Sequence, residues 1–222
     1  MFNVILHTKL SSLSDEILDY SNETVQRIDK STNSFINCEI GIAREIIEST
    51  NEINIKSYEI EHECLKILGL HQPVAKDLRL GAALLRTSIE LERINILAAY
   101  TSRYAIDSKE KDSNVHKPPH ISLMSQTVQG MIKDGVGALI NKDLHLLKRS
   151  TKNYSSLQDF YNQMFMEYDD SVFGSSHIYL MLVGRNLLSM GHHVMGMADR
   201  IAYTMVGKRV MHHKVFYNVL MR

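Results

Sequence analysis

The scarcity of residues that break helices is the strongest constraint on how this chain can fold. Its 222 residues include three prolines, at positions 73, 118 and 119, and 11 glycines. Because proline interrupts a helix and glycine weakens it, a chain this poor in both can form long helices. Apolar residues recur at three- and four-residue spacing almost throughout, which is typical of helices with one buried face. The sequence therefore predicts an all-α protein.

The helical pattern falls into two halves, each with room for three helices. Residues 1–106 form the first predicted three-helix bundle, and residues 122–207 form the second. Residues 107–121 are polar and contain two adjacent prolines, which predicts a linker. Residues 208–222 form a basic and apolar tail. The predicted architecture is two three-helix bundles in tandem.

Polar and turn-forming residues set the expected ends of individual helices. The run Lys30–Ser34 supplies capping side chains, so we expect the second helix to begin after it. Pro73 suits the first position of the third helix, which we expect to end near Arg103. A shift that places Leu91 on Leu187 aligns the third helix with the sixth. These two helices are therefore predicted counterparts in a repeat.

The charge balance argues against several classes of partner and location. Lys plus Arg and Asp plus Glu each number 25, so no net charge attracts the chain to nucleic acid. No apolar run approaches the roughly 20 residues of a membrane-spanning helix, and the N-terminus lacks the layout of a signal peptide. The two cysteines, Cys38 and Cys64, would lie roughly 39 Å apart on one continuous helix. We predict a cytoplasmic protein without a disulfide bond.

The sequence lacks the motifs that usually accompany catalysis. It has no P-loop, no Gly-x-Ser-x-Gly, no Cys-x-x-Cys and no glycine-rich dinucleotide loop. One Glu-x-x-His occurs at Glu59–His62, whereas ferritin-like di-iron bundles need two such motifs and two further glutamates. We predict that the protein is not an enzyme. A metal-binding helical bundle, either a storage protein or a di-iron-type enzyme, remains the alternative.

Glu92 is a candidate site residue because of its position in the helical pattern. It falls on the apolar stripe of the third helix, where an unpaired charge would be costly. Because the second and third helices fold back on each other, we expect Thr50, Asn51 and Asn54 beside it. Either Glu92 is the remnant of a metal site, or it is a buried carboxylate hydrogen-bonded to Thr50, Asn54 or Ser88. The second interpretation is favoured.

A basic row is the other candidate feature of the third helix. Arg79, Arg86 and Arg93 recur every seven residues. Either the row is a solvated face on which Glu90 pairs locally with an arginine, or it is a surface that docks a partner.

Several stretches of the chain resemble the PhoU family. Gln72–Arg79 has the sequence QPVAKDLR and Leu91–Ile94 has the sequence LERI, and both are similar to the signature of its first repeat. Gly191–His193 and Ala198–Gly207 are similar to the sixth helix of the family. The resemblance covers most of the chain and is closest from Cys64 to Arg93.

The resemblance implies a cytoplasmic regulator that damps phosphate uptake and phosphate-starvation signalling. Family members contact the ATPase subunit of a transporter and a sensor histidine kinase, and they commonly dimerise. Asp77 and Arg79 resemble the family's surface pair, so together with Arg86 and Arg93 they are the predicted partner-binding residues. A regulator of a different transporter is a second alternative. The tail at residues 208–222 is a candidate for a dimer contact or for contact with a membrane surface.

The resemblance also implies metal ions, because several family members bind them with a repeated Glu-x-x-x-Asp motif. Here the first motif keeps Glu92 but has Ile96 in place of the aspartate, and the second has Leu188 and His192. One carboxylate remains of four, whereas hard cations require several oxygen ligands. The sequence predicts no bound cofactor, with Glu92 and His192 as the two positions where a metal ion could still bind.

Overall fold

The protein is built from helices, as a computed structural model shows for residues 2–111, 119–166 and 175–208. No strand occurs within these ranges, so the predicted all-α fold is confirmed. The segments α2 and α3 together correspond to the second predicted helix. The helices are α1 (Phe2–Asn37), α2 (Ile40–Glu48), α3 (Thr50–His71), α4 (Ala75–Lys111), α5 (Pro119–Asn141), α6 (Leu144–Met166) and α7 (Ser175–Val206).

In the first half, α1 and α4 run in the same direction, and α2 and α3 pack against both. Near the start of both helices, the Nδ1 atom of His7 on α1 lies 3.9 Å from the carboxylate of Asp77 on α4. Near the C-terminal ends of these helices, the ammonium group of Lys109 on α4 donates a hydrogen bond of 3.4 Å to the backbone carbonyl of Cys38, just after α1. The second half repeats this arrangement with α5, α6 and α7.

The two halves pack on each other around one continuous core. Helices α4 and α7 are antiparallel neighbours: Arg79 lies over Tyr203 near one end, and Tyr104 contacts Tyr179 near the other. Helix α1 lies beside α5. Helices α1, α4, α7 and α5 therefore form a central four-helix bundle. Helices α2 and α3 cover α1 and α4 from outside, and α6 covers α5 and α7.

The predicted end of the third helix and the predicted bounds of the linker are wrong. Helix α4 continues past Arg103 to Lys111, and α5 already begins at Pro119. The polar end of α4 stays helical because it packs on the other half, where the Lys111 ammonium lies 5.5 Å from the Tyr179 ring centroid. Residues 112–118 and 209–222 of the predicted linker and tail lie outside the described residues. The division into two units stays a prediction.

The polar run Lys30–Ser34 does not end the first helix, which continues to Asn37. Ser31, Thr32 and Ser34 are buried inside α1. The Ser31 hydroxyl donates to the Ile28 carbonyl and the Ser34 hydroxyl to the Ser31 carbonyl, over 3.0 and 2.8 Å. These bonds satisfy the hydroxyls locally, so side chains that resemble caps are tolerated within the helix. The chain turns instead at Cys38, where φ is 58°.

The second predicted helix is interrupted at Ser49, between α2 and α3. The buried side chain of Arg27 on α1 holds this interruption: it donates to the Ile46 carbonyl over 2.9 Å and to the hydroxyls of Ser49 and Thr50 over 2.7 and 3.1 Å. The positive charge lies at the C-terminal end of α2, where it is favourable. Burial nevertheless lowers the pKa of Arg27 below its ordinary value.

Cys38 and Cys64 do not form a disulfide bond with each other. Across the described ranges, none of the helices has both the length and the apolar character that crossing a membrane requires.

Candidate functional site on helix α4

The three predicted arginines lie along one side of α4, near its boundary with α7. Arg79 lies over the ring of Tyr203, with 5.8 Å between the guanidinium carbon and the ring centroid. Its Nε is buried and makes no hydrogen bond within the described part of the chain. Arg86 forms an ion pair with Glu90, and Arg93 is exposed. The row is therefore partly built into the boundary and partly open to solvent.

Asp77 does not lie on the same side of α4 as the arginines. Its carboxylate faces α1, where His7 lies 3.9 Å away. Two residues along a helix correspond to about 200° of rotation, so Asp77 and Arg79 point to different neighbours. The four residues proposed from the sequence do not form one surface, and their role as partner-binding residues stays a prediction.

Glu90 is the buried carboxylate of this region, although the sequence pattern indicated it only as a local partner of an arginine. Its exposed fraction is 2%. The carboxylate is held by Arg86 on its own helix and by His193 of α7, with 2.6 Å between Glu90 Oε2 and His193 Nδ1. A Cβ atom at Gly196 would lie 2.7 Å from Glu90 Oε1. Glycine at this position therefore leaves space for the carboxylate between the two halves.

Glu92 does not have the surroundings that the sequence analysis expected. It is half-buried, and within the described residues no hydrogen bond to it occurs. Two of the expected partners bond other residues: the Ser88 hydroxyl shares a hydrogen bond of 3.0 Å with the Ser57 hydroxyl, and the Thr50 hydroxyl accepts a bond from Arg27. The third, Asn54, has a buried Oδ1 that makes no hydrogen bond in the described part of the chain. The expectation of a fully buried, hydrogen-bonded Glu92 is wrong, because its side chain is only half-buried and none of the expected partners bonds it.

Asn95, about one turn after Glu92, is a fully buried polar residue of the first half. Its amide donates to the hydroxyls of Tyr20 and Thr24 on α1 over 3.2 and 2.9 Å. Burial raises the pKa of Tyr20 from its ordinary 10.0 to about 12. The helical pattern alone did not predict this cluster, although the sequence contains one signal for it, an amide at helical spacing among apolar residues.

The second metal candidate, His192, contacts an aromatic residue of α6. It hydrogen-bonds the Tyr154 hydroxyl, and the two ring centroids are 5.1 Å apart. Leu188, at the other position of this motif, is buried in the core. In the ranges that the structure describes, no three His, Cys, Asp or Glu side chains come together as metal ligands. These residues do not provide the oxygen donors of the implied metal site, and binding at Glu92 or His192 stays a hypothesis.

Comparisons with known proteins find one family. A family model described as the PhoU domain matches residues 17–105. The chain is 59% identical, over its whole length and 99% of the relative, to the phosphate-specific transport system accessory protein PhoU homolog 2 of Methanothermobacter thermautotrophicus. It is 27% identical, over 74% of its length and 79% of the relative, to the PhoU homolog of Deinococcus radiodurans.

Two crystal structures have a similar fold. PhoU from Streptococcus pneumoniae superposes with a TM-score of 0.83 at 17% identity, over 95% of this chain and 99% of that one. PhoU from Pseudomonas aeruginosa superposes with a TM-score of 0.81 at 23% identity, over 91% of this chain and 99% of that one.

Proposed function

The chain belongs to the PhoU family, and from that premise we propose that it is an accessory regulator of phosphate-specific transport. The relative that is 59% identical over the full chain bears that name. In this proposal the protein acts as an adaptor without a chemical step, and it negatively regulates phosphate uptake and phosphate-starvation signalling. It does so by contacting the ATPase subunit of the transporter, a sensor histidine kinase, or both.

The observation that carries the docking part of the proposal is the incomplete neutralisation of the basic row. Arg79 and Arg93 have no carboxylate partner among the described residues, whereas Arg86 is paired with Glu90. The half-buried side chain of Arg79 is held in place by the ring of Tyr203, so little side-chain entropy remains to be lost when a partner binds it. Carboxylates on a partner would bond Arg79 in the fork geometry that arginine favours.

The test is charge reversal at Arg79 and Arg93 together, with Arg86 retained because it holds the buried Glu90. We expect the double variant, Arg79→Glu with Arg93→Glu, to bind the purified ATPase subunit or kinase domain at least tenfold more weakly, about 1.4 kcal/mol. Its Tm should fall modestly, because Arg79→Glu removes the contact with the Tyr203 ring, so binding is compared at a temperature where circular dichroism shows that the variant is folded. The matched control reverses Arg44 and Arg103, two exposed arginines outside the row. Unchanged binding by the Arg79 and Arg93 variant would remove the row from the interface.

The proposal also includes a cytoplasmic location and a homodimer close to the transporter. Light scattering on the purified protein measures the oligomeric state. Co-purification from cells grown with and without phosphate tests the adaptor role itself. If neither an ATPase subunit nor a kinase associates under either condition, the adaptor proposal fails.

A further inference from the structure

Helix α3 carries an apolar stripe on its solvent-facing side, which we call the outer stripe. It consists of Ile55, Tyr58, His62 and Leu65, at spacings of three and four residues. Ile55, Tyr58 and Leu65 are 56%, 70% and 52% exposed. The rings of Tyr58 and His62 stack with centroids 6.5 Å apart. The opposite side of α3 is separately buried, at Ile53, Ser57, Ile60, Cys64 and Ile67.

The outer stripe is not required by the fold, because the equivalent helix of the second half lacks it. Helix α6 covers α5 and α7 as α3 covers α1 and α4. Along the middle of its solvent-facing side α6 is polar. The exposed residues there are Lys152, Ser155, Ser156, Gln158, Asp159 and Asn162, and the exposed apolar residues Phe165 and Met166 lie at the C-terminal end of α6 and do not form a stripe along it. A helix in this position can therefore have a polar outer surface, so the fold alone does not explain the apolar outer surface of α3. Single exposed apolar residues are ordinary, but a continuous row at heptad spacing marks a helix that packs on another helix.

The charges around the outer stripe indicate the chemistry of its partner. Both lysines beside it are already paired: Lys56 with Glu23 over 2.5 Å and Lys66 with Glu63 over 2.9 Å. Three glutamates beside it have no basic partner anywhere in the described ranges: Glu52, Glu59 and Glu61. The rim of the stripe is therefore acidic, and it favours a partner with basic flanks.

We propose that the outer stripe of α3 docks an amphipathic helix of a partner protein, whose apolar residues pack on Ile55, Tyr58 and Leu65. Lysine or arginine residues beside that apolar face pair with Glu52, Glu59 and Glu61. This is helix-on-helix recognition with heptad anchors. A second copy of α3 fits less well, because the two acidic rims would face each other. The surface lies on α3 and is distinct from the basic row of α4.

The probe is a synthetic amphipathic helix with leucines at heptad spacing, flanking lysines and one tryptophan. The protein has no tryptophan, so the fluorescence and anisotropy of the peptide report binding directly. We expect the lysine-flanked peptide to bind the full chain, and a version with flanking glutamates to bind at least tenfold more weakly. Binding of the lysine-flanked peptide should weaken as salt is raised.

Two variants connect binding to the residues. Replacing Ile55, Tyr58 and Leu65 by serine should reduce affinity at least tenfold with only a small fall in Tm, because more than half of each side chain is exposed and serine is a somewhat poorer helix former. The matched control replaces Tyr100 and Leu123 by serine, which are also exposed but lie on α4 and α5. The control should bind as the unaltered protein does, and so should the variant reversed at Arg79 and Arg93.

Four results would overturn the proposal. The lysine-flanked peptide could fail to bind, or the serine variant could bind it equally well. A dimer in solution that dissociates when the outer stripe is replaced by serines would identify a second copy as the occupant. Binding that develops only after residues 209–222 are removed would identify the chain's own tail as the occupant.

Discussion

Glu90 of α4 and His193 of α7 share a hydrogen bond of 2.6 Å across the boundary between the two halves. The carboxylate is almost completely buried, and Arg86 and His193, which hold it, are both partly exposed. A buried carboxylate is stable only when its oxygens are paired. This one is paired by residues from both halves, so it fixes how α4 and α7 pack on each other.

Removing the Glu90 carboxylate should destabilise the protein. We expect Glu90→Ala to lower the free energy of unfolding by about 2–3 kcal/mol, because it leaves a cavity and unpaired partners. Glu90→Gln should cost less, since the amide keeps the shape and one acceptor. Denaturant unfolding measures both, with Glu48→Ala as the exposed control, expected within about 0.5 kcal/mol. Equal stabilities of Glu90→Ala and the control would contradict the role of this contact.

Two glycines should respond in opposite directions to replacement by alanine. Gly196→Ala places a Cβ 2.7 Å from Glu90 Oε1, and displacing the carboxylate should cost about 1–3 kcal/mol. Gly130 of α5 has open space around it, so Gly130→Ala should stabilise by roughly 0.5–1 kcal/mol through helix propensity. Thermal unfolding compares the two. In a Glu90→Ala background the penalty of Gly196→Ala should shrink, because the clashing oxygen is gone, and an undiminished penalty would rule out this explanation.

Alkaline pH should destabilise the protein through Tyr20. Burial raises the pKa of Tyr20 to about 12, so the phenol stays neutral in the folded state while the unfolded chain ionises near pH 10. The contribution of about 2–3 kcal/mol is complete below pH 10 and is lost as pH rises from about 10 to 12. Denaturant unfolding between pH 8 and 11 measures the slope. Tyr20→Phe should reduce the slope without abolishing it, because burial also raises the pKa of the Cys64 thiol to about 12; the exposed Tyr100→Phe serves as the control.

The purified protein should contain no stoichiometric iron or zinc. The two motif positions that could still bind a metal are Glu92 and His192, and a hard cation needs several oxygen ligands. Since Glu92 makes no hydrogen bond in the described part of the chain, we also expect Glu92→Gln and Glu92→Ala to differ little in stability. Elemental analysis after mild chelation is the measurement. Iron or zinc that is retained, and then lost in Glu92→Gln, would show a genuine site.

Long helices could be predicted from the sequence, whereas several of their ends could not. Serine and threonine favour helix starts in general, yet Ser31 and Ser34 bond carbonyls one turn earlier and remain inside α1. The end of α4 extends past Arg103 because it packs on α7. Contacts of this kind depend on the second half of the molecule, and spacing along one helix does not contain them.

Contacts with the second half also decide which carboxylate of α4 is buried. On the heptad pattern of α4, Glu92 falls on the apolar stripe, so the sequence indicated it as the buried acid. In the structure Glu90 is the buried one, because α7 covers that side of α4 with His193 and Gly196. The arginine row, by contrast, depends only on seven-residue spacing within one helix and lies where that spacing predicted.

Because α4 packs antiparallel on α7, the two halves should stay associated without a covalent connection between them. Contacts from Arg79–Tyr203 to Tyr104–Tyr179 run along almost the whole of both helices, and separating them would expose the centre of a shared core to water. If the chain were cut between residues 112 and 118, the two fragments would therefore remain associated as a non-covalent heterodimer. Each fragment alone would behave as an incomplete protein that recovers its fold when the other is supplied.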